Sequence, residues 1–378
     1  MHPHLWTIPG INFPIRTYGF IVGLSFVIAL LIARRRAKSS NLDPGVMTNL
    51  TLIGMIGGLI GGPLMYFLHY HNFGGREVIG GVVFGIVCAL GYLRFTGRSI
   101  LAYMDAAVPA LILAMGIGRL GCLMFGCCWG GVCQTDSGQR SLAWAIHFPY
   151  FSPLYIEDWS AGRQEVPDEL MWINPANIKS GTTPTKEPIP PFVLEMDIDD
   201  DEALINWAST AYAFSKLRGG DPKSEALINA SKAFADAKKA ITDQNPFAKA
   251  AAAHLVQLNA KEETRDLKWA DLRALSKKQF TAWVHPAQLY DFIALTLLFL
   301  LLSAIFFKGC RRGTVLAWAM VLYPINRFVM ETIRTDNPRE FGGLTISQVI
   351  CLAIFVFGVI LVVWLRMTRE PQKSPSIA

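Results

Sequence analysis

Charged residues are scarce in this sequence. Only 17% of its 378 residues are charged, whereas 52% are hydrophobic, and an average soluble domain has about 25% charged residues. The shortage argues against a soluble globular protein and favours a membrane protein. A net charge of +6 by itself suggests a nucleic-acid partner. Because the basic residues lie beside apolar segments, we expect no nucleic acid to bind.

A cleavable signal peptide is also missing from the sequence pattern. The opening "MHPHLWTIPGINFPIRTYG" has no basic region ahead of an apolar core, which a secretory signal requires. We therefore expect the first apolar run to remain in the protein as a membrane span.

Seven apolar segments are present, and most approach the roughly 20 residues that a helix needs to cross a bilayer. They are approximately 17–33, 47–68, 78–95, 101–125, 286–307, 314–334 and 346–365, of which 78–95 is marginal. The sequence thus predicts an all-α polytopic membrane protein with seven transmembrane helices. A mainly helical, extracytoplasmic insertion is expected between helices four and five.

Basic residues alternate between the connections. The first, third, fifth and seventh spans end in "ARRRAK", "RFTGR", "KGCRRG" and "RMTREPQK", whereas the other connections are mixed in sign. The positive-inside rule then places the N-terminus outside and the C-terminus in the cytoplasm.

Three regions follow from this pattern. Residues 1–125 hold helices one to four, 126–285 form the extracytoplasmic insertion, and 286–378 hold helices five to seven and a cytoplasmic tail. Within the insertion, 224–280 carries apolar residues at helical spacing and predicts two or three amphipathic helices. We interpret the insertion as a soluble cover over the membrane part.

Glycine is concentrated in "GMIGGLIGGP" (54–63) and "GGVVFG" (80–85). Small residues at i, i+3 and i+4 allow two membrane helices to approach closely. Tight packing is the favoured interpretation, and the alternative is a crevice at Gly80 and Gly81 that admits a lipid head group.

Several charged residues lie inside predicted spans, where each costs at least about 2.5–3.5 kcal/mol. Arg119 lies in "GIGRLG", and Tyr323, Arg327, Glu331 and Arg334 recur at spacings of four, four and three. That spacing places the last four on one helical stripe. One glutamate between two arginines, with Arg119 added, predicts a cationic pocket near the outer leaflet that would accept phosphate. The alternative is a structural Arg327–Glu331 pair, with Arg334 extending to the interface.

Five motifs together resemble a known family. "PIRTYGF", "GRLG…GCCWGG", "HPAQLYD", "YPINRFVMETIRTD" and "ISQVICL" occur in the order, and on the spans, of the phosphatidylglycerol–prolipoprotein diacylglyceryl transferases. The resemblance covers the seven spans and does not extend to the insertion.

The resemblance implies a reaction, partners and a location. Members transfer the diacylglyceryl group of phosphatidylglycerol to the lipobox cysteine of preprolipoproteins, within membrane lipid and without a cofactor. They lie in the bacterial cytoplasmic (inner) membrane. By motif matching, Arg119 and Arg327 would be catalytic and would hold the lipid phosphate. The residues that would contact or surround the substrate are Tyr18, Gly80, Gly81, Gly130, Tyr323, Glu331 and Arg334.

The sequence departs from the family pattern at three positions. Cys122 and Cys127 stand where the family has asparagine and glutamate, and Ile79 stands where many members have a histidine proposed as the thiol base. His69, His71 and His285 are then the imidazoles available near the outer face. His285 is favoured because it opens span five, and a mechanism without a dedicated base stays open.

Four of the seven cysteines cluster near the outer face, at Cys122, Cys127, Cys128 and Cys133. Disulfides are ordinary in an oxidising compartment, so one or two are the favoured interpretation, followed by free thiols. The spacing C-x4-C-C-x4-C fits a tetrahedral zinc site poorly, and we expect no metal. Cys88, Cys310 and Cys351 are interpreted as small apolar residues.

Two other functions stay open. A membrane thiol–disulfide oxidoreductase would use the cysteines, but the sequence has no C-x-x-C pair and the arginines would have no role. A catalytically altered relative would bind phospholipid or act on another acceptor.

Overall fold

The computed structural model describes residues 4–8, 13–71, 78–135, 137–177, 185–218, 224–242, 244–337 and 342–368. Two compact units are present: Met1–Ile146 with Trp283–Ala378, and His147–Ala282. Both are mainly helical. The predicted cytoplasmic tail, 369–378, lies outside the described residues.

The first unit begins with an antiparallel pair of short strands, β1 (His4–Ile8) and β2 (Phe13–Arg16). Four helices follow: α1 (Thr17–Ser39), α2 (Pro44–Tyr70), α3 (Val78–Phe95) and α4 (Ile100–Phe125).

The second unit has its own apolar core. Its elements are α5 (Pro153–Ser160), β3 (Met171–Ile173), β4 (Lys186–Pro188), α6 (Pro191–Leu194), α7 (Glu202–Leu217), α8 (Glu225–Ala240), α9 (Pro246–Asn259) and α10 (Trp269–Ser276). The helices predicted between 224 and 280 are therefore three. Trp172 and Trp269 are fully buried among them, and the Asp199 carboxylate accepts hydrogen bonds from the first two backbone amides of α10.

The chain then returns to the first unit with α11 (Ala287–Phe307), α12 (Thr314–Ile333) and α13 (Ile346–Met367). Residues 126–146 also belong to this unit, and Ile146 pairs with Val284 where the chain leaves and re-enters it.

All seven predicted apolar segments are helical, but length and composition qualify five helices of the described chain as membrane spans. They are Thr17–Ser39, Pro44–His69, Ile100–Phe125, Ala287–Phe307 and Ile346–Met367. The apolar part of α3, Gly80–Phe95, is shorter, and α12 carries Asn326, Arg327 and Glu331 within its last turns. The protein is thus a helical membrane protein, with fewer clear spans than the seven predicted.

Glycines bring α2 and α3 into close contact. A Cβ atom built on Gly80 would overlap Met65 and lie 2.8 Å from the Gly61 carbonyl oxygen, and one on Gly81 would lie 2.9 Å from the Gly58 carbonyl oxygen. The tight-packing interpretation of the two glycine motifs is confirmed, and backbone of α2 fills the space of the alternative crevice.

A buried carboxylate connects the two helices that carry the predicted arginines. Asp105 of α4 accepts hydrogen bonds from the backbone amides of Gly313 and Leu316, at 2.5 and 2.8 Å. These amides begin α12 and have no partner within that helix. Asp105 therefore fixes the start of α12 against α4.

Gly80→Ala should lower the free energy of unfolding by about 1–3 kcal/mol, because the added methyl group overpacks the α2–α3 contact. The midpoint of unfolding in a detergent titration measures this loss. The matched control is Gly91→Ala on the same helix, whose nearest neighbour would be Phe95 at 3.8 Å. Equal stability of the two variants would contradict the packing account.

Trp269→Ala should destabilise the second unit by about 3–5 kcal/mol, because it leaves a large cavity in that core. Proteolysis rates within 147–282 of the full chain measure the effect. The control Ile228→Ala removes a side chain that is 55% exposed and should leave the rates nearly unchanged. A proteolysis rate in Trp269→Ala that matches the control would refute the prediction.

Candidate functional site

Arg119 joins three helices. It lies near the end of α4, and its Nε atom is 2.6 Å from Oδ2 of Asp291 on α11. Oδ1 of the same carboxylate accepts a hydrogen bond from Asn326 on α12, at 3.1 Å. The carboxylate side chain is only 6% exposed. Arg119 is therefore held by a buried partner rather than extended into lipid.

Arg327 has a second carboxylate. Its Nη2 atom lies 2.8 Å from Oε2 of Glu331 and 3.4 Å from the Ser347 hydroxyl. The other oxygen of Glu331 accepts hydrogen bonds from Thr345 and Asn337, at 3.0 and 2.6 Å. This network ties the end of α12 to the start of α13.

One nitrogen of the Arg327 guanidinium is left over. Nη1 is buried and finds no hydrogen-bond partner in the part of the chain that the structure describes. Buried polar atoms nearly always have a partner, and a guanidinium nitrogen stays protonated. The arrangement provides a donor for a ligand that carries an acceptor.

Arg334 forms a bidentate pair. It follows α12, and its Nε and Nη2 atoms lie 2.9 and 2.7 Å from the two oxygens of Asp336. Burial alone would lower the pKa of Arg334. The hydrogen bonds with Asp336 and the charges of Cys128, Asp336 and Glu331 outweigh burial and raise that pKa, so the group keeps its charge.

The predicted excess of cationic charge is wrong. Each guanidinium in the described site has its own carboxylate: Arg119 with Asp291, Arg327 with Glu331, and Arg334 with Asp336. The stripe on α12 counted a single acid, because Asp291 comes from α11 and Asp336 from the segment after α12. What the site offers an anion is the unpartnered Nη1 of Arg327 rather than net positive charge.

The two predicted tyrosines lie beside the arginines. Tyr323 is within electrostatic range of Arg119, Arg327 and Asp291. Tyr18, at the start of α1, is 44% exposed and interacts electrostatically with Arg119. Arg119 and Arg327 therefore share one environment, and Tyr18 lies at its edge.

Gly130 and His285 are paired through their backbones. The Gly130 amide donates to the His285 carbonyl at 3.0 Å, and a Cβ at position 130 would lie 2.7 Å from the Cβ of His285. Glycine is required here for close approach. The imidazole of His285 contacts the Tyr290 hydroxyl at 3.3 Å, which also accepts a hydrogen bond from Trp144.

The remaining predicted residues belong to α2 and α3 or to the ends of these helices. His71 ends α2 in a left-handed conformation, with φ of 54°, and its ring packs on Phe67. Gly80 and Gly81 lie at the contact of α2 and α3. The segment 72–77 between these two groups lies outside the described residues.

Three cysteines converge beside Arg119. The Sγ atoms of Cys122, Cys127 and Cys128 all lie within 4.8 Å of one another, and Cys128 Sγ is 3.8 Å from Arg119 Nη1. The end of α4 brings the three thiols together. Gly126, at φ of 82°, reverses the chain, and the amides of Gly126 and Cys127 both donate to the Cys122 carbonyl.

All seven cysteines are free thiols in the structure, and disulfide formation in the cluster stays a prediction. Cys133 is buried away from the other three and pairs through its amide with the Trp283 carbonyl. Hydrogen bonds with Cys122 and Cys127, and then the charges of Arg334 and Arg119, lower the pKa of Cys128 against the effect of burial.

Asp291, Asn326, Asp336, Ser347 and Thr345 complete the site and were not identified from the sequence. The sequence could have revealed Asp291, because it is an acidic residue within a predicted span and such residues usually mark a functional site. The others are ordinary polar residues in segments whose approach to the arginines depends on the fold.

Known proteins resemble this chain over most of its length. The family model "Prolipoprotein diacylglyceryl transferase" matches residues 3–364. The phosphatidylglycerol–prolipoprotein diacylglyceryl transferase 2 of Clostridium perfringens is 30% identical over 189 residues, which cover 45% of this chain and 72% of the relative. The corresponding transferase of Rhodopirellula baltica is 24% identical over 404 aligned positions, covering 96% of this chain and 75% of the relative.

The family match spans both arginine-bearing helices, the cysteine segment and the His285 segment, and the relatives are bacterial enzymes. The chain belongs to the prolipoprotein diacylglyceryl transferase family.

Proposed function

We propose that this protein transfers the diacylglyceryl group of phosphatidylglycerol to the lipobox cysteine of prolipoproteins. The observation that carries the proposal is the buried, unpartnered Nη1 of Arg327 in the environment that this residue shares with Arg119. Membership of the family supplies the substrates, as its relatives are named for them.

The reaction is alkyl transfer to sulfur. The cysteine sulfur attacks the glyceryl carbon that carries the phosphate oxygen, and a C–S bond forms as the C–O bond breaks. Glycerol phosphate leaves with the electron pair, and the thiol gives up its proton to a base. The products are a thioether and glycerol phosphate. The chain must therefore stabilise a departing phosphate and obtain a thiolate from a thiol of pKa about 8.5.

Arg119 and Arg327 stabilise the departing phosphate. Both guanidinium groups are held in place before substrate arrives, Arg119 by Asp291 and Arg327 by Glu331. Preorganised donors in a site that excludes water stabilise developing negative charge strongly. Because each arginine already has a carboxylate, the site binds a phosphate diester without attracting anions indiscriminately.

Tyr323 and Tyr18 are assigned to the glycerol head group. Tyr323 interacts electrostatically with both arginines, and the exposed Tyr18 stands at the edge where a lipid would enter. Arg334 and Asp336 close the outer end of the site, with Gly130 paired against Arg334.

The proposed membrane arrangement uses the seven long helices of the first unit. We assign seven crossings to α1–α4 and α11–α13, with the N-terminus outside, the C-terminus in the cytoplasm and residues 147–282 outside. The polar end of α12 then lies near the outer leaflet. Interior packing of the Arg327–Glu331 pair allows α12 to cross despite its charges.

His285 is the proposed proton acceptor for the substrate thiol. Its carbonyl pairs with Gly130, two residues beyond Cys128, so it stands beside the segment that carries the cysteines. Tyr290 orients its imidazole.

Arg119→Ala and Arg327→Ala should each lower kcat/KM by about 100- to 1,000-fold, because each removes a donor to the leaving phosphate. Formation of diacylglyceryl thioether on a lipobox peptide, in vesicles of phosphatidylglycerol, measures the transfer. Arg→Lys at either position should recover only part of the loss, since an ammonium cannot bind phosphate bidentately. The matched control Arg94→Ala removes an exposed arginine at the end of α3 and should retain full activity.

Wild-type turnover in either alanine variant would refute the phosphate assignment. Binding of phosphatidylglycerol by the unaltered chain with no thioether formed would instead favour a relative that has changed its chemistry.

His285→Gln should lower the transfer rate by about 100-fold or more, as loss of a general base does. The rate of thioether formation on a lipobox peptide measures the effect. His147→Gln alters an imidazole stacked on Phe280 in the second unit and should leave the rate unchanged. An unchanged rate in His285→Gln would remove it as the base.

A further inference from the structure

The strongest feature that the proposed function leaves unused is the convergence of Cys122, Cys127 and Cys128. We propose that these three thiols bind one zinc ion, and that the fourth position of the zinc takes the thiolate of the substrate cysteine. The catalytic half of this inference rests on the proposed function, whereas metal binding does not.

The geometry fits a single ion. Four thiolates or thiolate-like ligands at the usual Zn–S distance of about 2.3 Å lie roughly 3.8 Å from one another around a tetrahedron. The three Sγ atoms already lie within 4.8 Å of one another, and each side chain offers one of them. Thiolate sulfur is the ligand type that selects zinc over magnesium or calcium. Small side-chain movements therefore complete the set.

The poor fit of the C-x4-C-C-x4-C spacing to a zinc site applies to all four cysteines taken as one set. Cys133 pairs through its backbone with Trp283 and stays outside the cluster. The turn at Gly126 instead folds Cys127 and Cys128 back over Cys122. Three protein ligands with one open position is the pattern of catalytic zinc sites, whereas structural zinc has four.

Cys128 adopts a left-handed backbone conformation. Its φ is 62°, in the left-handed region that costs energy for a residue with a Cβ. This conformation accompanies the placement of its Sγ beside both other thiols and Arg119. A glycine would fit the turn, so we attribute the cysteine to its sulfur.

Two guanidinium groups, each also paired with a carboxylate, act on the cluster. Three thiolates and a Zn²⁺ ion carry one net negative charge, and a substrate thiolate adds another. Arg119 Nη1 lies 3.8 Å from Cys128 Sγ, and Arg334 acts electrostatically on the same sulfur. Both guanidinium groups are cationic partners for an anionic zinc–thiolate group.

A zinc ion at this site would help to deprotonate the substrate thiol. A neutral imidazole is a weak base toward a free thiol of pKa about 8.5, but a thiol that binds zinc loses its proton outright. On loading, each cysteine that is still protonated gives up its proton as its Zn–S bond forms. The substrate thiol then displaces water from the fourth position and gives its proton to His285. In transfer, the Zn–S bond to the substrate breaks as the C–S bond forms.

The position also suits the reaction. Arg119 touches the cysteine cluster through Nη1 and Asp291 through Nε, so the metal would lie next to the arginine assigned to the departing phosphate. The acceptor sulfur and the leaving phosphate would then both lie near Arg119.

Metal binding is tested first on the full chain, reduced and reconstituted in vesicles. We expect one zinc per chain, and Co²⁺ in its place should give the ultraviolet charge-transfer bands of cobalt–thiolate bonds. Cys122→Ser, Cys127→Ser and Cys128→Ser should each weaken zinc binding by more than about 100-fold, because even the loss of an outer-shell partner costs 10- to 100-fold.

Two further variants keep the metal test independent of folding. Cys133→Ser removes a neighbouring buried thiol outside the cluster and should still bind one zinc. Cys128→His keeps a metal ligand and should bind zinc where Cys128→Ser does not. Absence of zinc and cobalt in the reduced wild-type chain, or equal binding by all the serine variants, overturns the inference. Thiol counting that finds a disulfide within the cluster in isolated membranes also overturns it.

The catalytic half is tested by chelation. Removal of zinc should lower thioether formation by about 100-fold or more, as loss of thiol activation does, and added zinc should restore it. Zinc that binds without affecting transfer would make the ion structural and refute its role in catalysis. A chain that binds zinc through the three cysteines but forms no thioether under any condition would refute the proposed function and leave the metal site in place.

Discussion

Pairing of guanidinium with carboxylate inside an apolar bundle is the constraint on which this structure depends. Arg119 and Arg327 lie where an unpaired charge would be expensive, and each is held by an acid that is 6% or less exposed. The pairs also fix the helices: Asp291 joins α4, α11 and α12, and Glu331 joins α12 to α13. Loss of either carboxylate would leave a buried charge alone, which costs more than the pair gains. The same contacts that allow the charges to be buried therefore also position them for an anionic substrate.

Pairing each arginine with a carboxylate affects which anions the site can bind. A pocket with net positive charge would hold any anion, including the phosphate product. In the described site the charges balance, and the free donor is Nη1 of Arg327. Under the proposed function, this donor would select a phosphate that fits the site. The close contact of α2 with α3, and the Asp105 contact between α4 and α12, supply the rigidity that this kind of recognition needs.

The end of α4 brings two kinds of chemistry together. Arg119 faces a carboxylate on one side and a thiol on the other, because the helix stops at Gly126 and the chain doubles back. Substitution of the expected asparagine and glutamate by Cys122 and Cys127 changes the polar end of this helix into a sulfur cluster. The same chain has Ile79 in place of the histidine proposed as the thiol base in the family. Binding of the substrate thiolate to a metal would activate the thiol without that histidine.

Composition and local pattern determined the class of protein, the helical segments and the stripe that holds Arg327 and Glu331, since apolarity and a period of 3.6 residues are properties of consecutive positions. They also determined which residues would be costly in lipid, and thus pointed to Arg119. The tertiary structure decided which acids neutralise the arginines, because Asp291 comes from another helix and Asp336 from a loop. It also decided that Cys128 meets Cys122 while Cys133 does not, and that Gly80 packs against Met65. The charge balance of a site and its set of ligands depend on which residues are neighbours in space. Spacing along the chain determines neighbours only within one helix.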